Sequence, residues 1–420
     1  MAPVLGWRDL RTRRVGVWGV GVEGRATLRR LETDGITPAA VVEGDDVEAL
    51  RGCDVVVKSP GISPYDAPAR SLSEDGVDLV GGLALWLAEA PTDRVLCVTG
   101  TKGKSTTTAI AGALIRGLGH SCVTGGNLGV APWDPDTPEA DWYVVEVSSY
   151  QAHDLRTGPR VVVVTSLGQD HLTWHHGYET YVADKLSLCT RPGVEVVVVP
   201  GADEELARYR ALLGGHVDEV AEPTGAEGWL DQLGVLGRHN RRNALLARRA
   251  LVRLGVPGAE DDAAIATAAA GYVPLRSRLT SLGTLDGVEF VDDSLSTNTL
   301  PTLAAVEAFE GRRVALLVGG HDRGIDYRPL AAGLVGRPDL LVLTLPDNGP
   351  RIAAAFTEVA PGVDVRAAAD LATAVGDGFA WARPDGVVLL SPAAPSFGRF
   401  RDYADRADAF EAAMRALATG

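Results

Sequence analysis

Apolar residues along this chain fall into short continuous runs, each closed by glycine, proline or a polar turn and followed by a stretch of helical spacing. "RVGVWG", "AAVV" and "CDVVVK" come first; "RVLCVTG", "WYVVEV", "RVVVVTSL" and "VEVVVVP" follow. After "GYVPLRSRL" come "VEFVDD", "RRVALLVGG", "DLLVLTLP" and "GVVLLSP". Runs without polar alternation suit strands buried on both faces, as in a parallel sheet covered by helices. Between them Ile110, Leu114 and Leu118 recur every four residues, with Gly119 placed to end that helix. The pattern predicts an α/β protein of three consecutive domains, at residues 1–92, 93–273 and 274–420. The first is Rossmann-like, the central one a P-loop mononucleotide-binding domain, and the C-terminal one again Rossmann-like.

Composition narrows the class. With 420 residues, 46 % hydrophobic and 23 % charged, the chain reads as a soluble multidomain protein. No apolar run approaches the roughly 18 residues of a membrane helix, and the N-terminus lacks a signal-peptide core, so a cytoplasmic protein with no membrane partner is expected. A net charge of −15 argues against nucleic acid as a partner. Cys53, Cys97, Cys122 and Cys189 are scattered and form no CxxC pair, which suits small buried thiols in a reducing compartment. Only Lys58, Lys102, Lys104 and Lys185 are lysines among 40 basic residues. Lysine retained in so arginine-rich a chain marks positions where a guanidinium cannot serve.

The chemistry concentrates in "VTGTKGKSTT". Gly100, Thr101, Lys102, Gly103, Lys104, Ser105 and Thr106 form a shortened P-loop between a strand and a helix. Its glycines let backbone N–H groups converge on phosphate, Lys104 neutralises charge, and Ser105 or Thr106 can serve magnesium. Glu146, closing "WYVVEV", supplies a carboxylate for the metal, and Asp170-His171 ends the next strand at the same crevice. His175 and His176 leave a zinc cluster conceivable, although no metal-ligand repeat accompanies them. Lys185 has two readings: an ammonium touching phosphate, or a neutral amine that captures CO₂ as a carbamate. In the first domain Gly19, Gly21 and Gly24 spell GxGxxG, with Glu43 following the next strand, a pattern that alone suggests NAD.

Taken in order, GTKGKST, "VEVSSYQ", "DH", "YVADKLSL", "GRHNRRNALLA" and "VGGHDRGIDY" resemble the Mur ligase family, in its glutamate-adding branch. The resemblance runs from about residue 14 to 415. It implies a UDP-binding first domain, a central ATPase and a C-terminal domain that admits the amino acid. The implied reaction uses ATP and Mg²⁺ to phosphorylate the alanine carboxylate of UDP-N-acetylmuramoyl-L-alanine, and glutamate then attacks the acyl phosphate. By motif, Lys104 holds phosphates; Ser105, Glu146 and His171 serve magnesium; Lys185 resembles the carbamylated lysine. Asn240, Asn243, Arg278 and Asp293 resemble ATP contacts. Gly19, Gly21, Val22, Glu43, Ser59, Pro60, Gly61 and Asn127 are then UDP-sugar contacts, so the glycine fingerprint is no sign of NAD. A monomer is expected. A folylpolyglutamate synthase-like ligase shares the ATP chemistry, but that family is expected to begin at the P-loop domain.

The chain departs from the D-glutamate-adding pattern at four places: Thr173 for an acid, Asp293-Ser294-Leu295 for Asp-Ser-Lys, Gly319-Gly320-His321-Asp322-Arg323, and "SPAAPSFGRFRDY". Inverting the α-carbon with the amine fixed exchanges α-carboxylate and side chain, so the carboxylate clamps must move. These stretches resemble the branch that adds L-glutamate, with Thr297, Arg323, Ser396 and Tyr403 as the recognition residues. An ordinary D-glutamate-adding ligase is the alternative.

Overall fold

The computed structural model describes residues 4–418 and contains three sheets. The first joins β1 (Val15–Trp18), β2 (Ala40–Val42), β3 (Val55–Lys58) and β4 (Asp78–Gly81) in the order β2-β1-β3-β4, all parallel. The second holds β5 (Val95–Thr99), β6 (Cys122–Gly126), β7 (Trp142–Glu146), β8 (Val161–Val164), β9 (Val196–Pro200) and β10 (Val217–Val220). Its order is β10-β9-β8-β5-β7-β6, again parallel. The third contains β11 (Thr280–Leu285), β12 (Val288–Asp292), β13 (Val314–Val318), β14 (Leu340–Thr344), β15 (Asp364–Ala367) and β16 (Val387–Leu390). Its order is β11-β12-β16-β13-β14-β15, parallel except for the β11–β12 pair.

Every residue of β5, β8, β13, β14 and β16 is buried, which is why their sequences read as unbroken valine and leucine runs. The five strands that the apolar runs did not reveal are β4, β6, β10, β11 and β15. Each is the edge of its sheet and only partly buried, so it carries no continuous apolar signal. The helix after the P-loop spans Lys104–Gly117 with Ile110 and Leu114 fully buried. Leu118 is its C-cap and Gly119 follows at φ 89°, the left-handed conformation that a glycine adopts at least cost. Cys53, Cys97 and Cys189 are buried and Cys122 half-buried, all four as free thiols. No helix among the described residues is long and apolar enough to cross a membrane.

By contacts the chain forms two compact units. One runs to Leu233 and resumes at Arg242–Tyr272; the other comprises Gly234–Arg241 and the chain from Val273 onward. The first two sheets belong to the former unit and the third sheet to the latter.

Candidate active site

In the central sheet the chain leaves β5 in both directions, towards β7 on one side and β8 on the other, so a crevice opens at their carboxyl ends. The P-loop fills it. Gly100 sits at φ 135°, where a side chain would overlap the Thr165 hydroxyl at the end of β8. Gly103 is the N-cap of the Lys104–Gly117 helix at φ 90°, and a Cβ there would lie 2.7 Å from Asn243 Oδ1. Asn243 is thereby brought onto the loop. The Thr101 amide donates to Ser166 O at 2.9 Å, and its hydroxyl lies 2.7 Å from Tyr181 Oη. Lys102 Nζ bonds Asp170 Oδ2 at 3.0 Å, and Lys104 Nζ donates to Thr101 O at 3.1 Å. Ser105 and Thr106 are buried in the first helical turn.

Glu146, the last residue of β7, is 2 % exposed. Its Oε1 accepts from Asn127 Nδ2 at 2.7 Å, whereas its Oε2 is buried without a hydrogen-bond partner. An unsatisfied buried carboxylate oxygen is costly and fits a cation. Among the described residues no three His, Cys, Asp or Glu side chains gather as a ready ligand set.

His171 is the N-cap of a short helix, Leu172–His175, in a left-handed conformation at φ 51°. Its side chain is half exposed, yet partial desolvation lowers its imidazole below the ordinary value, with Asp170 opposing and Lys185, Lys104 and Lys102 adding to the effect. Burial works to raise Asp170, but Lys102, His171 and Lys104 outweigh it and hold the carboxyl low. A neutral imidazole is the form that ligates metal.

Lys185, on helix Tyr178–Ser187, is 2 % exposed and donates to Gly100 O at 2.9 Å. Its Nζ lies 5.0 Å from the centre of the Tyr181 ring, one helical turn earlier. Burial drives its pKa well below the ordinary lysine value, and the charges of Lys104 and Lys102 push the same way. Tyr181 and Thr165 escaped the sequence reading. The four-residue spacing of Tyr181 and Lys185 is a legible signal; Thr165 carries none.

In the first domain the glycine turn is a packing device. A Cβ on Gly24 would overlap the Gly19 carbonyl, while Ser59 Oγ donates to Gly19 O at 3.0 Å. Gly21 caps the following helix, which begins at Val22. Ser59, Pro60 and Gly61 follow β3, and Glu43 stands exposed after β2. Asn127, expected beside the UDP-sugar, lies against Glu146.

The C-terminal unit builds its own cluster where the adjacent strands β12, β16 and β13 end. The Asp293 carboxylate accepts from Ser296 Oγ at 2.5 Å, Ser391 Oγ at 2.7 Å and the Leu279 amide at 3.0 Å; burial pushes it up to about 7 despite these bonds. The amides of Gly319 and His321 donate to Pro392 O and Pro395 O, stitching the β13 loop to the β16 loop. Arg406, 1 % exposed, grips Ala394 O and Ser294 O with its terminal nitrogens, its Nε left without a partner. Around this centre stand buried Ser396, exposed Thr297, and exposed Tyr403 at the start of the last helix. The Arg323 guanidinium lies 5.7 Å from the Phe397 ring centre. Arg278 is half-buried before β11, and Asn240 Nδ2 donates to Leu236 O at 2.9 Å.

A strand, a glycine loop and a helix bearing Lys104, with a strand-terminal glutamate beside them, define a P-loop nucleotide-binding protein. Models of the Mur ligase middle domain and of the Mur ligase glutamate ligase domain match residues 98–221 and 277–394. A UDP-N-acetylmuramoyl-L-alanine–L-glutamate ligase of a Micromonospora strain is 39 % identical, covering 97 % of each chain. The protein of that name from Xanthomonas euvesicatoria is 40 % identical over 95 % of this chain and 94 % of its own. Among solved structures, UDP-N-acetylmuramate-alanine ligase MurC of Thermotoga maritima superposes with a TM-score of 0.58 at 16 % identity, over 97 % of this chain and 100 % of its own. The chain belongs to the Mur ligase family.

Proposed function

We propose that the protein joins L-glutamate to UDP-N-acetylmuramoyl-L-alanine at the expense of ATP, in the synthesis of peptidoglycan precursors. Near-full-length similarity to proteins named for that reaction supports the substrates. The observation that carries the chemistry is the orphaned Glu146 oxygen in the same crevice as the Lys104 loop and a desolvated Lys185.

The obstacle to the reaction is charge, because a phosphate chain and a carboxylate must meet in line. On this reading the P-loop amides and Lys104 hold the β/γ-phosphates, and Asn243 borders the loop. Glu146, His171 and Ser105 fit magnesium. When bound, that ion offsets the repulsion between γ-phosphate and carboxylate. Lys185 meets the requirement for a carbamate: its amine nitrogen bonds the carbon of CO₂ and loses a proton, leaving an anion where a neutral side chain stood. Gly19, Gly21, Val22, Glu43, Ser59, Pro60 and Gly61 take the UDP-sugar, with Asn127 beside it. Asn240, Arg278 and Asp293 are assigned to ATP. Thr297, Arg323, Ser396 and Tyr403 are assigned to L-glutamate, since the departures from the D-glutamate pattern cluster there. The reading includes a cytoplasmic, monomeric enzyme; a dimer mass in sedimentation would contradict the second part.

The test is phosphate release by purified enzyme. It should require ATP, magnesium, the UDP-sugar-alanine and glutamate, and should be indifferent to NAD. Lys104→Ala should lower kcat/KM by about 10²–10³-fold. Release without the acceptor, or an unimpaired Lys104→Ala, would overturn the assignment.

A further inference from the structure

Lys58 is a retained lysine that the reaction chemistry leaves without a role. It ends β3, immediately before the Ser59-Pro60-Gly61 turn, and is 3 % exposed. Its ammonium bonds Asp154 Oδ2 at 2.7 Å, and the Asp154 side chain is only 5 % exposed. Asp154 closes helix Ser149–Asp154, which begins three residues after Glu146. A buried pair thus joins the start of one substrate turn to the helix that follows the metal carboxylate.

The carboxylate is closely packed as well. Gly81 is the register partner of Lys58 across β3 and β4, and a Cβ on it would stand 3.1 Å from Asp154 Oδ2. An ammonium meets this carboxylate as a compact point donor, whereas a planar guanidinium would require a different arrangement of acceptors. A second bond crosses the same seam: Gln151 Nε2 donates to Glu23 Oε1 at 2.7 Å, and Glu23 lies in the glycine fingerprint between Gly21 and Gly24. Gln151 also completes the capping box of the helix, its Oε1 accepting from the Ser148 amide at 2.9 Å. Burial pushes the Glu23 carboxyl up to about 7, so it adds less negative charge to the seam than a free carboxylate. The far end of the turn is fixed as well, by Ser63 Oγ on Trp174 O at 2.8 Å and Trp174 Nε1 on Gly61 O at 3.1 Å.

We propose that Lys58 and Asp154, seconded by Gln151 and Glu23, are positioning residues that set the register between the UDP-sugar turns and the Glu146 strand end. They thereby fix where the acceptor carboxylate arrives. This rests on the UDP-sugar reading of the first domain. Binding of ATP uses neither turn, so the pair should act on the acceptor alone.

The test compares the full-length wild type with Lys58→Met, Asp154→Asn, their double variant, Lys58→Arg and Gln151→Met. Phosphate release is measured against UDP-sugar-alanine at saturating ATP, and against ATP at saturating acceptor, with thermal unfolding of each variant recorded. Lys58→Met and Asp154→Asn should lower kcat/KM for the acceptor by about 10–100-fold, with the KM for ATP unchanged within about twofold. The double variant should be no worse than either single one, and Lys58→Arg should not rescue. If the core variants do not fold, Gln151→Met, which loses the bond to Glu23 together with the side-chain acceptor of the Ser148 amide, should shift the acceptor in the same direction. An unchanged kcat/KM for the acceptor in folded variants, or an equal rise in the KM for ATP, overturns the positioning role while leaving the substrate reading intact. A wild type with no acceptor-dependent turnover overturns both.

Discussion

Glu146 carries one oxygen on Asn127, while the other is buried with no hydrogen-bond partner. A buried carboxyl oxygen without a partner costs stability, and a cation bound there would offset that cost. Glu146→Gln should therefore raise the melting temperature of the metal-free protein by about 2–4 °C. Magnesium should stabilise the wild type and leave the variant unmoved; a scan in which both respond alike would remove Glu146 from the metal. Lys185 makes the complementary argument. Burial and two neighbouring ammonium groups favour its neutral amine, the form that reacts with CO₂. Lys185→Ala should lose about 10²–10³-fold in kcat and recover with short-chain carboxylic acids, while Lys185→Arg should not recover. Full activity of Lys185→Ala without added acid would dispose of the carbamate. The lysine count singled out Lys185 in advance, because a guanidinium cannot form a carbamate. The orphaned oxygen was not legible: it depends on which atoms of folded neighbours come within reach.

At the scale of elements, the P-loop and the glycine fingerprint are turns in which missing side chains make room for specific atoms. Gly24→Ala forces a methyl into the Gly19 carbonyl, so the first domain should lose about 1–3 kcal/mol of stability, read by urea unfolding. A neutral outcome would mean that the helix there can shift freely. The C-terminal cluster hangs on Arg406, whose fork spans the Ser294 and Ala394 carbonyls and whose burial pulls its pKa down to about 10. Lysine cannot bridge both carbonyls in that geometry. Arg406→Lys should raise the KM for glutamate by about tenfold with the KM for ATP held; loss of both would reduce Arg406 to general support. Central strands announced themselves through continuous apolar runs, whereas β4, β6, β10, β11 and β15 did not, because edge strands bury only part of their surface. Arg406 was hidden for a related reason: one arginine among many has no pattern until the loops it holds are folded.

For the whole molecule, three parallel-rich sheets each bring their glycine turns and polar clusters to strand ends, so one architecture recurs three times along the chain. The order of motifs along the chain exposed the family, and near-full-length relatives bear it out. Motif order does not carry the hand of the amino acid, because on the proposed reading that depends on how Thr297, Arg323, Ser396 and Tyr403 arrange two carboxylates in three dimensions. The formal charge of −15 adds a constraint, since every proposed substrate is anionic and would have to be drawn in by local cations against the overall field. The most direct measurement offers purified enzyme L- or D-glutamate in parallel, with ATP, magnesium and UDP-N-acetylmuramoyl-L-alanine, and follows the dipeptide product. Turnover with L-glutamate and little with the D form is the expected result; preference for D-glutamate, or turnover with neither, would contradict the account.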